Sequence, residues 1–547
     1  AKKDHMLRHQ HARSREVTTA GGGKPELNTK PNDNSETGYV GQEHEPATPT
    51  QQSIWLMNQL ETDSGFANAS TAYRIRGRLS KSQIAAAIDG FWQRHPETQT
   101  LYRMIDSEIR RIPNSVAPKF EYADLRELNE AECRDFITEV HSRPFDLCRE
   151  SPFRPAAFRI SDDEHVVLLA SNHIASDEWT GAIAFQDTLT ALAHGQDSAA
   201  FQKRAPTATF SEFVADLNQF VAGSDGISML DAWRRHLEGV DAHIDLPTDS
   251  TRPDNIQYDG ESTGYALLPD IAAAVRETSR SLGVTPFVLL YSAWQLFLSR
   301  LCNQDVIAQA IPLLGRPKKH LRTVGCFSNL AVLKVDVGAA GSFAELASQV
   351  HEELAFANSN SQIPFETVLD SLDVKRKSKI QPFRQVGFTF RRLSTNRGIG
   401  AILNPLHVDT WYPEGSVEIA GYGLRQQEGQ HELGLEIFDT GDTMQCLWKY
   451  RSALWNRETI DNIGRAFNAL LANCLRSPND KLSSLSLTDA SCRAAVATGP
   501  RMPKSAKSTL VGTVLAMAKR LGDSPAITET TSDRVLTYSQ LAEYTGQ

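Results

Sequence analysis

Apolar positions recur at helical spacing in "TQQSIWLMNQL", where Ile54, Met57 and Leu60 share one face, and then give way to "TAYRIRG", which reads as a strand. "LSKSQIAAAIDGFWQRH" returns to helical period with Ile84, Ile88 and Phe91 on one face, and Ser80 with Gln83 forms a capping-box pair at its start. "QTLYRMI" predicts the next strand. From His165 to Ala170 the chain is apolar almost without interruption, the pattern of a buried strand. Thr180 to His194 then resumes helical period, with Gly195 as its C-terminal stop. Between that strand and that helix lies "SNHIASDEWT", residues 171–180.

The second half repeats this mixture. "TPFVLLYSAWQLFLSRL" begins a helix with Thr285 as cap and Pro286 in its first turn, and "SFAELASQVHEEL" carries the capping pair Ser342 and Glu345. Strands are expected at 305–311, 331–337 and 385–390, with a hairpin from Glu432 to Tyr450 turning at "DTGD". For a chain of 547 residues these elements predict an α+β protein of two lobes. The expected organisation is a flexible linker at 1–45, a first lobe at 46–225, a second lobe at 226–490, a linker at 491–508 and the truncated start of another domain at 509–547.

Composition narrows the class. Hydrophobic residues make up 40% and charged residues 22%, and no stretch approaches the length of a membrane span, so no membrane partner is expected. The net charge of −9 is dispersed and basic clusters such as "RPKKH" are short, which argues against nucleic acid. The seven cysteines form no CxxC pair and read as reduced core thiols. The basic N-terminus lacks the apolar segment of a secretory signal, so a cytoplasmic location is expected. The chain starts without Met and breaks off inside an incipient domain, which reads as a piece of something longer.

His173 and Asp177 stand where the buried strand runs out, a position where catalytic groups concentrate. A neutral imidazole there can take a proton from an attacking amine or hydroxyl. The alternative is structural, with His173 finishing the strand and Asp177 capping the next helix. No cluster of ligands suggests a metal, and neither GxSxG nor a P-loop occurs.

Several segments together resemble the condensation domains of non-ribosomal peptide synthetases, from about Pro46 to Leu487. "SNHIASDEWT" resembles the family's core HHxxxDG, and "PTQQSIWLM" its opening S/T-x-x-Q-x-x-x-W. "RHPETQTLY", "RPFDL", "LLGRPKKHLRTVGCFSNLAVLKV", "NSQIPFETVLDSL" and "QPFRQVGFTF" resemble further family segments in the family's order. The tail "SPAITETTSDRVLTYSQL" looks like the start of an adenylation domain.

The resemblance implies two chloramphenicol-acetyltransferase-like lobes in a V-shaped pseudo-dimer with a central tunnel. It implies amide formation between an acyl or peptidyl thioester on an upstream carrier domain and the amine of an aminoacyl thioester on a downstream one. The 4'-phosphopantetheine would belong to those carriers, with no cofactor held by the domain itself. By the same resemblance His173 is the catalytic histidine, Asp177 and Arg316 form a supporting pair, and Asn329 lines the tunnel.

Three positions depart from the pattern: Asn172 replaces the first His, Glu178 the Gly, and Thr180 the following Ser. Asn172 replaces what is usually a packing residue. Glu178 is expected either to alter the acceptor channel or to face solvent. The departures keep open a non-catalytic platform that recruits partners, and an ester-forming variant. Epimerisation, heterocyclisation and a stand-alone CoA-dependent acyltransferase fit less well.

Overall fold

The computed structural model describes residues 44–60, 65–113, 118–372, 380–393, 410–488, 510–528 and 535–545. The expected linkers at 1–45 and 491–508, and with them Cys492, lie almost wholly outside these residues. The chain divides into two compact units, Ala1–Leu487 and Thr488–Gln547.

The first lobe of the large unit is built on a six-stranded sheet. Its order is Tyr412–Glu414, Val417–Gly421, Thr71–Arg76, Glu164–Ser171, Phe153–Arg159 and Glu121–Asp124. All pairings are antiparallel except that of Glu121–Asp124 with Phe153–Arg159. The central strand Glu164–Ser171 is buried along its whole length, as its unbroken apolar run requires. Tyr73, Ile75, Phe158 and Val166 to Leu168 form the core beneath it. The helices Lys81–Arg94 and Glu178–His194 cover this lobe, the former with the capping box of Ser80 and Gln83, the latter ending at Gly195 with φ +83°.

The second lobe centres on the helix Pro286–Cys302, buried all round from Val288 to Ser299, as a core helix without a polar face should be. Against it lie the antiparallel pair Val306–Leu313 and Asn329–Asp336 and a four-stranded sheet ordered Val386–Arg392, Leu433–Asp439, Met444–Arg451, Gly260–Ala266. Trp294, Trp448, Phe297 and Phe467 pack in its centre with tilted and edge-to-face rings. The α+β class and the hairpin through "DTGD" are as expected from the sequence.

Two details differ. The lobes are not contiguous in sequence: Val417, Ile419 and Leu424, expected in the second lobe, are buried in the first lobe's core. Val417–Gly421 reaches it by pairing antiparallel with Thr71–Arg76, so that it joins the first lobe's sheet. At the helix Phe343–Ser359, Ser342 accepts from the Glu345 N–H, but the Glu345 carboxylate accepts from Gly341 rather than closing a reciprocal box.

The small unit contains the helix Leu510–Leu521, an antiparallel pair Pro525–Thr528 and Val535–Thr537, and the helix Tyr538–Thr545. Among the described residues no single helix is long and apolar enough to cross a membrane.

One buried histidine ties the fold to the site. The Asn68 side chain donates to the carbonyl of His141 (2.7 Å), and the Ser70 hydroxyl meets His141 Nδ1 at 2.6 Å, fixing the segment that bridges to Asn172. Burial, assisted by nearby Arg154, pushes the His141 pKa down to about 4. The native imidazole is therefore neutral, whereas the unfolded chain takes up a proton below about pH 6.5. Stability carried by this group is intact above 6.5 and is lost as pH falls towards 4, by roughly 3 kcal/mol at most. Urea titrations across this window should show the loss, and His141→Gln should reduce its slope.

Candidate active site

The strand Glu164–Ser171 delivers the chain to Asn172, which forms an isolated bridge with Asn68. Asn172 is buried; its side-chain oxygen accepts from the Ile174 N–H at 3.0 Å, while its amide nitrogen has no partner among the described residues. It turns the chain from a buried position. The backbone N–H of His173 donates to Ala67 at 2.7 Å, and the Ile174 carbonyl accepts from Gln51 at 2.9 Å. The loop is thus held on both sides of the imidazole.

Asp177 combines two structural roles. One oxygen accepts from the Thr180 N–H at 2.7 Å as the cap of the helix Glu178–His194, and both oxygens face Arg316 Nη2 at 2.9 and 3.0 Å. The second oxygen also accepts from the Phe327 N–H at 3.0 Å. The Arg316 side chain is 0% exposed and Asp177 5%. Arg316 also donates to the carbonyls of His320 and Thr323 and lies 3.9 Å from the Phe327 ring centre. Burial pulls the guanidinium pKa down and Asp177 opposes that pull.

Thr180 is fully buried, and its hydroxyl donates to the Gly325 carbonyl (2.7 Å) and accepts from the Gly325 N–H (3.1 Å). Asp177 and Thr180 therefore staple the first lobe's helix onto residues 325–327 of the second. A Cβ at Gly325 would overlap the Phe210 ring, so only glycine permits this approach.

His173 itself is partly accessible. The Cys326 Sγ lies 3.8 Å from its Nδ1. Burial lowers its pKa below the ordinary histidine value, more than its own carbonyl and Asp177 raise it. The ring is consequently neutral at pH 7, the state a base requires.

Glu178 does not simply face solvent. Its half-exposed carboxylate pairs with Arg391 Nε at 3.0 Å, on the strand Val386–Arg392 of the second lobe. The adjacent Trp179 donates to the Leu321 carbonyl at 2.8 Å.

Asn329 is half-buried, and its amide is saturated: the nitrogen donates to Ser361 and Ile363, and the oxygen accepts from Leu330 and Phe365. It fixes the turn into the helix Phe365–Ser371 and has no free polar group to offer a tunnel.

A cavity of about 620 Å³ lies nearby, lined among others by Glu97, Arg111, Phe210 and Thr323. His173 does not line it. The two are connected through Gln51, which donates to Glu97 (3.4 Å) and to the Ile174 carbonyl. Among the described residues no group of three or more His, Cys, Asp or Glu is placed to hold a metal ion.

The sequence pattern thus brings together His173, Asp177, Thr180 and Arg316, with Asn172 behind them. It does not single out Gln51, Cys326 or Arg391. Gln51 stands within the "PTQQSIWLM" segment and Cys326 within "LLGRPKKHLRTVGCFSNLAVLKV", whereas Arg391 meets Glu178 only through a contact distant in sequence.

The sequence profile of the family described as the condensation domain matches residues 41–496. The chain belongs to the condensation-domain family. It is 26% identical over 453 residues to a linear gramicidin synthase of Brevibacillus parabrevis, covering 81% of this chain and 9% of that protein. It is 26% identical over 512 residues to phosphinothricin tripeptide synthetase PhsC of Streptomyces viridochromogenes, covering 91% of this chain and 45% of that one. The chain therefore spans less than half of either relative.

Among solved structures, it resembles a holo four-domain nonribosomal peptide synthetase bound to AMP and glycine, with a TM-score of 0.76 and 20% identity over 92% of this chain and 38% of the other. It also resembles the X-domain of teicoplanin biosynthesis in complex with OxyB, with a TM-score of 0.70 and 21% identity over 83% of this chain and 98% of the other. These neighbours establish the chloramphenicol-acetyltransferase-like condensation fold. Within that family, Asn172 and Glu178 are accommodated by local bonds and leave the Asp177–Arg316 pair intact.

Proposed function

We propose that this condensation domain forms an amide. The carbonyl carbon of an acyl or peptidyl thioester on an upstream carrier is attacked by the amine of an aminoacyl thioester on a downstream carrier. The C–N bond forms, the C–S bond breaks, the acyl group passes to the amine, and the upstream carrier's phosphopantetheine leaves as a thiolate that takes up the proton lost by the nitrogen. His173 accepts the proton of the attacking nitrogen or holds the amine in line by hydrogen bonding. Asp177 and Arg316 support the loop. The phosphopantetheine belongs to the carriers, the tail at 509–547 begins an adenylation domain, and the assembly works in the cytoplasm. The observation that carries this reading is a neutral, partly accessible His173 on a loop stapled to the second lobe by a buried ion pair.

To separate amide from ester formation, downstream carriers bearing an α-amino acyl group or its α-hydroxy analogue would be offered to one loaded donor, with products followed by mass spectrometry. Amide product at a rate at least tenfold above ester is expected. Preferential ester formation would replace this reading by the ester-forming one.

The altered motif supports a second reading, a platform that recruits a partner, and the neighbour solved in complex with OxyB provides a fold-level parallel. Glu178→Gly bears on the choice. The Glu178–Arg391 pair is half-exposed, so its loss should lower stability by about 1 kcal/mol or less and leave transfer within a few-fold of the parent. Thermal unfolding and initial rates check both. Should the Gly protein alone be active, Glu178 is an obstruction and the platform reading gains.

A further inference from the structure

We propose that Arg384 is a specificity-determining residue, whose guanidinium receives a carboxylate carried by one of the two thioester substrates, so that the site selects an acidic acyl or aminoacyl group. The inference rests on the condensation reading and adds a substrate class to it. Arg384 is half-buried, and its Nε is shut off from water without a hydrogen-bond partner among the described residues. Among those residues no carboxylate pairs with it, because the neighbouring ones are committed elsewhere. Asp177 is held by Arg316, Glu178 by Arg391, Glu432 by Arg252 and Glu436 by Lys449. A half-sequestered cation without a counter-ion is unfavourable, which makes this position a receptor for an anion that arrives with substrate.

The backbone presents Arg384 from a strained turn. Phe383 holds φ +59°, a left-handed conformation that a bulky residue rarely adopts. Both its main-chain groups are bound, the N–H to Ala242 and the carbonyl to Ala310, each at 2.8 Å. Strain of this kind persists where the surroundings over-determine it, and it gathers at functional positions. Phe383 is buried in the core and Gln385 exchanges two bonds with the main chain of Ile244, so of the three only Arg384 is left half-buried. Its carbonyl accepts from His431 Nδ1 at 2.8 Å, and a Cβ at Gly387 would overlap that imidazole. Burial, reinforced by Arg384 and Arg451, brings the His431 pKa down to about 4, so the ring adds no charge of its own at pH 7.

A run of direct contacts joins Arg384 to His173. The Arg384 N–H donates to the Gln381 carbonyl (3.1 Å) and the Gln381 side chain to the Tyr258 hydroxyl (3.0 Å). Tyr258 stacks on Phe66 with ring centres 4.5 Å apart, and the next residue, Ala67, accepts from the His173 N–H. The Arg384 charge is felt at the imidazole, where it lowers the His173 pKa alongside burial, the larger cause. Of the anions a substrate brings, the phosphate lies at the far end of the pantetheine arm from the thioester. A carboxylate on the acyl or aminoacyl group is the one that can lie beside the reacting carbon.

The test uses the full chain and pantetheine amides, stable analogues of the thioesters. N-acetylated aminoacyl amides stand for the donor and aminoacyl amides with a free amine for the acceptor, each built with glutamate and aspartate and, for comparison, with glutamine and asparagine. Titration calorimetry should show an acidic analogue bound about tenfold or more tighter than its amide isostere in one of the two sets. Which set does so assigns the carboxylate to donor or acceptor. Arg384→Met keeps the main-chain bonds and should erase the preference while binding of the neutral analogues changes little. Arg384→Lys keeps the charge without the planar fork and should lower the preference severalfold, so it serves if Arg384→Met does not fold.

Equal binding of acidic and neutral analogues in both sets would overturn the proposal. So would a preference that Arg384→Met, or Arg384→Lys if only that protein folds, leaves intact. With carrier-bound substrates, an equal loss of kcat for acidic and neutral groups in Arg384→Met would assign the guanidinium to the reaction's oxyanion and overturn it as well. The binding arm needs no transfer. Acid-selective, Arg384-dependent binding in a chain that forms no amide would sustain the proposal and count against condensation.

Discussion

Asp177→Asn is expected to destabilise the large unit by about 3–5 kcal/mol, read as a lower urea midpoint at unchanged slope. The cause is what the substitution leaves behind. The Arg316 side chain is fully removed from solvent, and an amide at 177 leaves its charge uncompensated in a low-dielectric interior. Burial lowers the guanidinium pKa, but arginine does not give up its proton at any working pH, so it has no route to neutrality.

Arg316→Met should cost less. Asp177 would still accept from Thr180 and Phe327, and a carboxylate can protonate where arginine cannot deprotonate. Combining Arg316→Met with Asp177→Leu should be less damaging than the sum of the single changes, since removing both charges removes the desolvation cost. Additive losses would show that the pair is not the staple described above.

His173→Ala is expected to do the reverse: transfer should fall by roughly 10²–10⁴-fold while stability changes little. The bond that holds His173 in the loop is made by its backbone N–H to Ala67, which alanine retains. Its ring is partly accessible and meets the Cys326 thiol at 3.8 Å. Two members of one five-residue motif should therefore separate cleanly, with Asp177 read in denaturation and His173 in rate. The neutral ring also fixes the pH dependence. Because burial lowers its pKa, the base form persists below the ordinary histidine value, and the acid limb of kcat/KM should turn below about pH 6.5. A limb turning above that value would contradict the burial argument.

Much of this was legible from sequence because the signals are local. The capping residues Ser80 and Thr285, the stop at Gly195 and the uninterrupted apolar strand before Ser171 each depend on residues a few positions apart. The pairing of Asp177 with Arg316 followed from family resemblance, since nothing in the spacing of residues 139 positions apart reveals contact.

The remainder depends on tertiary approach. Val417–Gly421 reads as part of the second lobe until its pairing with Thr71–Arg76 places it in the first. Glu178 looks like a solvent-facing charge until Arg391 is found beside it. Cys326 has the composition of an ordinary core thiol, and only its distance from Nδ1 distinguishes it. Asn329 adds a role the sequence does not show, since its amide holds the turn before Phe365.

The most direct test of the central claim is carrier-to-carrier transfer measured by intact-protein mass spectrometry. An acyl-phosphopantetheinyl donor carrier and an aminoacyl acceptor carrier would be mixed with the parent chain or with His173→Ala. The account predicts that the acyl mass moves to the acceptor carrier with the parent and fails to move with His173→Ala at matched folding. Transfer that persists undiminished without the His173 imidazole would contradict it.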